Sequence, residues 1–88
     1  MMQQKLDGNA AGGVLREIFP FEMTMAEVTC TACEATGPIG ALVAYMHGMG
    51  TILRCPGCDN VLIRIVHARG RYLLDMRGVR VLQVKEEQ

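Results

Sequence analysis

The sequence predicts a small, mostly-β domain in which an antiparallel sheet carries two CxxC turns, here called knuckles, and follows a short N-terminal helix. Three observations predict this class. A chain of 88 residues is enough for one domain, but its core is marginal without a staple. From residue 26 onward, runs of β-branched residues alternate with turn glycines. All four cysteines fall into two Cys-x-x-Cys pairs, which can supply that staple.

The N-terminal segment predicts a short amphipathic helix from about Ala10 to Phe19. Its apolar residues recur at helical spacing, Asp7 or Asn9 is placed to cap it, and Pro20 ends it. Two adjacent glycines each cost such a helix about 1 kcal/mol relative to alanine, so we expect it to form only when docked on the rest of the domain. The alternative is a disordered arm.

The rest of the chain predicts an antiparallel sheet, with a tight hairpin tip at Arg69-Gly70-Arg71. Gly78 predicts either a second turn or a bulge in one long final strand. Residues 1–88 are expected to form a single domain, with flexible ends at 1–9 and 85–88. The predicted strands are Glu27–Thr29, Ile39–Met46, Thr51–Arg54, Val61–Ala68, Tyr72–Met76 and Val79–Val84.

The knuckles, Cys30-Thr-Ala-Cys33 and Cys55-Pro-Gly-Cys58, are separated by 21 residues, which is close to the spacing typical of a zinc site. Zinc takes a closed tetrahedron of soft ligands, and a CxxC turn brings two thiolates to one edge of it. Pro56 and Gly57 favour a preformed second turn. The sequence therefore predicts a zinc ribbon with one structural Zn ion per chain, held by Cys30, Cys33, Cys55 and Cys58.

Other chemistries of four cysteines stay open at this point. Iron bound by four thiolates, in the manner of rubredoxin, has the same ligand set. A CxxC pair can also serve as a thiol redox centre, although the usual βαβ context is missing and the second pair would have no role. A catalytic zinc ion needs an open coordination position, and four thiolates leave none. We therefore expect a protein that is not an enzyme.

Composition and charge narrow the class of protein. The N-terminus has no apolar segment typical of a signal peptide, and charged residues interrupt every apolar run that might span a membrane, so we expect a cytoplasmic protein. Disulfides are rare in that compartment. The formal net charge is zero, and a zinc ion with four thiolates adds two negative charges. This balance argues against bulk attraction to nucleic acid.

The histidines and the missing serines bear on catalysis. His47 is expected in an exposed loop, with an acid–base role as the less favoured alternative. His67 shares a strand face with apolar residues and is expected at a strand edge rather than at the metal. The sequence contains no serine, which excludes a serine nucleophile.

Five arginines near the C-terminus are candidates for contact with nucleic acid or a protein partner: Arg64, Arg69, Arg71, Arg77 and Arg80. Folding could gather them into one basic patch, or they could line a solvated sheet face balanced by Asp75. Only Tyr72 lies among them as an aromatic for stacking on bases. We therefore expect a protein partner or self-association, with nucleic-acid binding as the alternative and no small-molecule substrate.

Three segments carry a resemblance to a known family: Leu6-Asp-Gly-Asn-Ala10, Cys55-Pro-Gly-Cys-Asp59 and Leu74-Asp-Met-Arg-Gly-Val79. With them the sequence resembles a short bacterial zinc-ribbon family catalogued as a domain of unknown function. The resemblance covers nearly the whole chain. It implies a stand-alone protein of this size with its four metal ligands at Cys30, Cys33, Cys55 and Cys58, and it implies no activity.

Overall fold

A computed structural model describes residues 4–85 and shows two antiparallel sheets around one core. The prediction of a mostly-β domain with two knuckles and a short helix is confirmed. The strands are β1 (Gln4–Asp7), β2 (Glu27–Cys30), β3 (Thr36–Pro38), β4 (Val43–His47), β5 (Gly50–Arg54), β6 (Val61–Ala68), β7 (Arg71–Asp75) and β8 (Val79–Gln83).

The larger sheet has five strands in the order β1-β4-β5-β6-β7, and its last four strands form a meander. Gly48, with φ +58°, turns the chain between β4 and β5. The β6–β7 hairpin has a two-residue loop, Arg69-Gly70, whose φ angles are +54° and +73°. Two successive positive φ angles are the signature of the tight hairpin turn that matches strand twist. The hairpin tip predicted here is confirmed.

The smaller sheet has three strands in the order β3-β2-β8. It therefore joins a hairpin near the middle of the chain to the last strand. The loop after β7, residues 76–78, carries the chain from the larger sheet to the smaller one. Val28 of β2 and buried residues of β5 and β6, among them Leu53 and Ile63, belong to the same hydrophobic core.

The N-terminal helix docks on this core. A 3-10 turn, Gly8–Ala11, leads into the α-helix α1, Gly12–Ile18, and the side chain of Asp7 accepts a hydrogen bond from the Asn9 amide at 3.1 Å. Leu15 of α1 is buried. Of the two predicted caps, Asp7 caps the 3-10 turn, whereas α1 itself begins after Ala11 and has no side-chain cap. The α-helix starts later than Ala10 because the residues before it wind as a 3-10 turn.

Three expectations about the strands are wrong. There are two sheets rather than one. The predicted strand Ile39–Met46 begins only at Val43, because Ile39–Ala41 form a 3-10 turn that packs on the turn at residues 8–11. The segment 4–7, expected within a flexible end, is strand β1 because the edge of β4 offers it a complete antiparallel partner. The predicted flexible residues 1–3 and 86–88 lie outside the described residues.

One face of the five-stranded sheet packs on the core, and the other, called the outer face, points away from it. The register aligns Lys5, Tyr45, Ile52, Arg64 and Asp75 in one row across all five strands of this face. A second row runs through His47, Gly50, Val66 and Leu73. These side chains are half-buried or exposed. The outer face is thus mixed apolar and basic.

Among residues 4–85, no helix has the length and apolar character needed to cross a membrane.

Candidate metal centre

The first knuckle is the turn that joins β2 to β3. The Cys30 amide donates to the Ala35 carbonyl at 2.9 Å, and the Glu34 amide donates to the Cys30 carbonyl at 3.0 Å. Glu34 has φ +62°, so the turn closes through one left-handed residue after the second cysteine. Both cysteines are thereby held on one side of a closed hairpin loop.

The second knuckle, between β5 and β6, repeats this geometry. The Cys55 amide donates to the Asn60 carbonyl at 2.8 Å, and the Asp59 amide donates to the Cys55 carbonyl at 2.9 Å. Asp59 has φ +66°, the same role that Glu34 has in the first knuckle. Gly57, which was expected to favour a preformed turn, has no positive φ. The left-handed residue is Asp59, a type that tolerates this region better than most.

The two knuckles belong to different sheets and meet at their tips. The Cys30 and Cys58 sulfurs are 3.6 Å apart, and so are the Cys33 and Cys55 sulfurs. All four sulfurs lie within 4.8 Å of one another. Four sulfurs placed about 2.3 Å from a central ion form a tetrahedron with edges of about 3.8 Å. The four cysteines could therefore bind one metal ion, and the predicted ligand set is brought together.

The distances also exclude disulfides in this arrangement. A disulfide needs sulfurs about 2.05 Å apart, well below the separations of 3.6 Å seen here. Each sulfur instead has the other three as near neighbours, which is the pattern of a shared ion and not of two bonded pairs.

The ligands differ in burial. Cys30 and Cys55, the first cysteine of each knuckle, are 1% and 3% exposed, whereas Cys33 and Cys58 are exposed. Each sheet thus contributes one ligand from the core and one from the surface. An ion at the centre would lie where the core meets the solvent, and it would tie the two sheets together.

The pKa values of the cysteine thiols show that the cluster favours a bound cation. Burial raises the pKa of the Cys30 thiol, but the amide groups of Cys33 and Ala32 and the side chains of Cys58 and Asn60 outweigh burial and bring the pKa to about 6. For Cys58, the Asn60 amide lowers the pKa, yet burial and the three neighbouring cysteines prevail and raise it to about 12. One thiolate in the cluster therefore makes a second one costly, and a bound cation removes that cost.

Asn60 links the two knuckles and was missed by the sequence reasoning. Its side-chain nitrogen lies 3.7 Å from the Cys30 sulfur and 3.4 Å from the Thr31 hydroxyl, both in the first knuckle. The Ala32 amide adds a contact of 3.4 Å to the same sulfur. N–H groups aimed at a ligand sulfur stabilise the thiolate and fix its orientation. The only sequence signal was the place of Asn60 directly after the second knuckle.

These observations place a four-cysteine centre between two sheets, and the comparison with known proteins fits this picture. A family model described as "Family of unknown function (DUF6510)" matches residues 2–87. The chain belongs to this family. No curated protein and no solved structure matches the chain.

The segments that carried the resemblance now have structural roles. A Cβ at Gly8 would lie 1.8 Å from the Ile39 carbonyl oxygen, so the Asp7-Gly8-Asn9 segment packs backbone on backbone against the 3-10 turn at residues 39–41. Gly78, in the segment that ends at Val79, makes a similar close approach to Val61, directly after the second knuckle. Both glycines let main chains meet where no side chain fits.

The two histidines lie apart from the cysteines. His47 is exposed at the end of β4, a strand end rather than the predicted loop. His67 stacks on Tyr72 with ring centroids 4.1 Å apart. Among the described residues, the cluster able to hold a metal consists of the four cysteines and includes neither histidine.

The five candidate arginines are divided rather than gathered into one patch. Arg64 and Arg71 lie on the outer face, and Arg69 is at the β6–β7 hairpin tip. Arg77 pairs with Asp75 at 2.5 Å, and Arg80 pairs with Glu34 at 3.4 Å. Arg77, in the loop after β7, and Arg80, on β8 of the smaller sheet, thus each have a carboxylate partner.

Proposed function

We propose that this protein is a non-enzymatic module of the bacterial cytoplasm, stabilised by one structural zinc ion, whose outer face binds a protein partner. The meeting of two knuckles from different sheets at a four-sulfur cluster carries the first part of this proposal. Four thiolates fill the coordination sphere of zinc and leave no position for substrate or water. The metal is therefore assigned to folding rather than to catalysis.

Metal content of protein produced without added metal tests the zinc assignment. Elemental mass spectrometry should find one zinc per chain, and the Cys30→Ser variant should lose it. One iron per chain, with the absorption of a ferric thiolate centre, would replace zinc by the rubredoxin-like alternative. Metal-free folded protein with reversibly oxidised thiols would instead favour the redox reading.

The mixed character of the outer face supports the second part. Tyr45, Ile52, Val66 and Leu73 form an apolar stripe. Gly50 has no side chain and leaves a depression that the first three of them line. Contiguous apolar surface with a polar rim is typical of an interaction site. An apolar side chain of a partner could enter the depression.

The charges of the outer face define the partner further. Lys5, Arg54, Arg64 and Arg71 stand around the apolar stripe, and Arg54 is already paired with Asp59 at 3.6 Å. The negative charge on this face is largely offset, because the Asp75 carboxylate is already paired with Arg77. Charge complementarity therefore favours a partner segment that alternates acidic and apolar side chains.

Filling the depression tests this surface. In Gly50→Thr the nearest atom to the new Cβ is the His47 carbonyl oxygen at 3.6 Å, an ordinary contact, so we expect the fold and the metal to be kept. Affinity capture from nuclease-treated lysate should recover a protein partner with the wild type and lose it with Gly50→Thr. Gly13→Ala, on α1, is the control and should keep the partner, since its Cβ meets open space. Equal capture by both variants would contradict the assignment of this face.

Nucleic-acid binding is the second candidate, because the same four cations share one face. Two contacts make it the weaker one. The Arg54 guanidinium lies 5.7 Å from the centroid of the Tyr45 ring, and Tyr72 is stacked on His67, so both tyrosines already have a partner for a ring face. Fluorescence anisotropy with single-stranded and duplex DNA and RNA decides between the candidates. Binding that falls steeply with salt and weakens in Arg64→Ala would favour nucleic acid.

A further inference from the structure

Strand β7 has a free edge. In the five-stranded sheet it pairs with β6 on one side, and no strand of residues 4–85 pairs with the other. Its five residues, Arg71–Asp75, include neither proline nor glycine, and its register with β6 is unbroken. An exposed edge without proline or bulge is a ready template for another strand.

The other edges are less suited to pairing. β3 has only three residues and ends in Pro38, which cannot donate a hydrogen bond. β8 pairs with β2 through an irregular register at Cys30. β1 has four residues. β7 is therefore the best-formed free edge in the described part of the chain.

We propose that two copies of this chain pair in antiparallel fashion along β7, about a two-fold axis at Leu73, so that their five-stranded sheets join into one sheet of ten strands. The proposal goes beyond the outer-face function and does not depend on it. Its basis is the strand's own sequence, Arg-Tyr-Leu-Leu-Asp, which is complementary to itself when reversed. In this register Arg71 lies opposite the Asp75 of the second copy, Tyr72 opposite Leu74, and Leu73 opposite Leu73.

The charges of β7 favour this register over shifted ones. Arg71 stands two positions before the axis and Asp75 two positions after it, so both ends of the strand pair carry opposite charges. Asp75 is also paired with Arg77 of its own chain, so the Arg71 of the second copy would join an existing ion pair. Opposite charges on directly facing residues stabilise antiparallel pairs, and like charges destabilise them. A shift in register would lose both charge pairs and would separate the two leucines.

The backbone of β7 is in the right phase for this pairing. Ala68 and Arg71 flank a two-residue loop, so they form a hydrogen-bonded pair, and hydrogen-bonded pairs then alternate along the hairpin. The amides and carbonyls of Arg71, Leu73 and Asp75 are thus directed at β6. Those of Tyr72 and Leu74 are directed at the free edge, and the register offers each a partner in the second copy, giving four hydrogen bonds in all.

The side chains supply an apolar centre. Leu73 is 61% exposed, the second highest value among the exposed large hydrophobic side chains of the described residues, after Met49 at 67%. At the axis two Leu73 side chains would face each other across a pair without hydrogen bonds, where side chains are closest. Both would lie on the joined outer faces, so dimerisation would double the basic and apolar surface.

The size of this contact limits its strength. A five-residue strand pair buries less accessible surface than a standard stable interface, which buries at least about 1,200 Å². We therefore expect a reversible dimer that forms over the micromolar to millimolar range of chain concentration. Sedimentation equilibrium of the metal-loaded wild type over this range should fit a monomer–dimer equilibrium. A monomer at every concentration would overturn the proposal.

Charge exchange provides the specific test. Arg71→Asp faces Asp75 of its own second copy, and Asp75→Arg faces Arg71, so each variant alone should be monomeric. When mixed, the two variants restore both opposite-charge pairs and should form a heterodimer. Circular dichroism and metal content establish that each is folded. Folded variants that do not associate when mixed, or that dimerise alone as well as the wild type, would refute the pairing.

A cross-linking experiment keeps the proposal falsifiable if Asp75→Arg does not fold. Two cysteines introduced by Leu73→Cys would meet at the axis within the Cα separation that a disulfide bridges. Met49→Cys is the control, since Met49 is at least as exposed as Leu73 but lies in the β4–β5 turn away from the axis. Under mild oxidation of zinc-loaded protein, Leu73→Cys should form a covalent dimer at least tenfold faster than Met49→Cys. Equal rates would contradict the two-fold axis.

Discussion

Gly78 touches both halves of the candidate metal centre. A Cβ at this position would lie 1.9 Å from the carbonyl oxygen of Val61, the residue after Asn60 and three residues beyond the second knuckle. The Gly78 carbonyl accepts a hydrogen bond of 3.0 Å from the Thr31 amide in the first knuckle. The loop that connects the two sheets therefore also sets the distance between the two pairs of ligands.

Replacing Gly78 should damage both stability and metal binding. In Gly78→Ala the new methyl group collides with backbone atoms that cannot move without shifting β6, so we expect a loss of about 3 kcal/mol in the free energy of unfolding. Thermal and denaturant unfolding measure it, with metal content measured in parallel. Gly13→Ala is the matched control and should be neutral or slightly stabilising, since nothing lies within 4 Å of its Cβ. A neutral Gly78→Ala would contradict the close approach.

Metal removal should separate the sheets. The ion would join β2 of one sheet to β5 of the other, and no disulfide replaces it. Because such a site does not exist in the unfolded chain, its binding energy, on the order of 10 kcal/mol for structural zinc, is folding energy. A strong chelator should abolish the near-ultraviolet circular dichroism and the cooperative thermal transition, and zinc should restore both. A cooperative transition that survives complete chelation would assign stability to the core alone.

Asn60 should tune the affinity for the metal. Asn60→Asp places a carboxylate where an N–H group now lies 3.7 Å from the Cys30 sulfur, and its charge opposes the thiolate. We expect a loss of zinc affinity of roughly 10- to 100-fold, measured by competition with a chromophoric chelator. Asn60→Ala should lose less, because it removes the contact without adding charge. Asp59→Asn is the control for this turn, since asparagine also accepts positive φ; a loss equal to that of Asn60→Asp would point to general perturbation.

The Asp75–Arg77 pair predicts a defined pH dependence. Hydrogen bonds from the Arg77 side chain and amide lower the pKa of Asp75 to about 2, whereas an unperturbed aspartate titrates near 3.9. The folded pKa is the lower one, so this stabilisation is present above about pH 4 and is lost as the pH falls through about 2. Arg77→Ala should therefore lower the melting temperature by the same amount at pH 7 and at pH 5.

The matched control is Arg80→Ala, which removes a longer contact between two exposed side chains, Arg80 and Glu34. Exposed pairs of this kind contribute little, so we expect almost no change in melting temperature. A difference between Arg77→Ala and wild type that changes from pH 7 to pH 5 would contradict the assignment to Asp75, because neither a pKa of about 2 nor the ordinary value near 3.9 lies in that range.

The features that the sequence predicted correctly depend on residues that are close together along the chain. The limits of β6, Val61–Ala68, follow from one continuous run, and the Arg69-Gly70 turn follows from local backbone preference. The cysteine cluster could be predicted because spacing within each knuckle and chemistry between knuckles both point to one ion. Each of these signals is complete within a short window.

The features that sequence missed depend on distant partners. Thr36–Pro38 contains two poor strand formers, and it is a strand because the first knuckle folds it back on β2. The second sheet exists because β2 pairs with β8, the last strand of the described residues. No local sequence pattern predicts that pairing. The role of Asn60 likewise depends on a contact between the knuckles. Tertiary contacts, rather than local preference, decided all three.

Because the two knuckles belong to different sheets, the four ligands become available at different times during protein synthesis. On a growing chain, the first knuckle emerges alone and offers only two of the four ligands, so a closed tetrahedral site has to wait for the second. By then the β4–β5 hairpin between them is complete, because it needs only its own residues, whereas β2 still lacks β8. An ion bound at that stage would hold the two knuckles together before the smaller sheet is complete, so a chain that lacks the metal would offer β8 a less fixed β2 on which to dock.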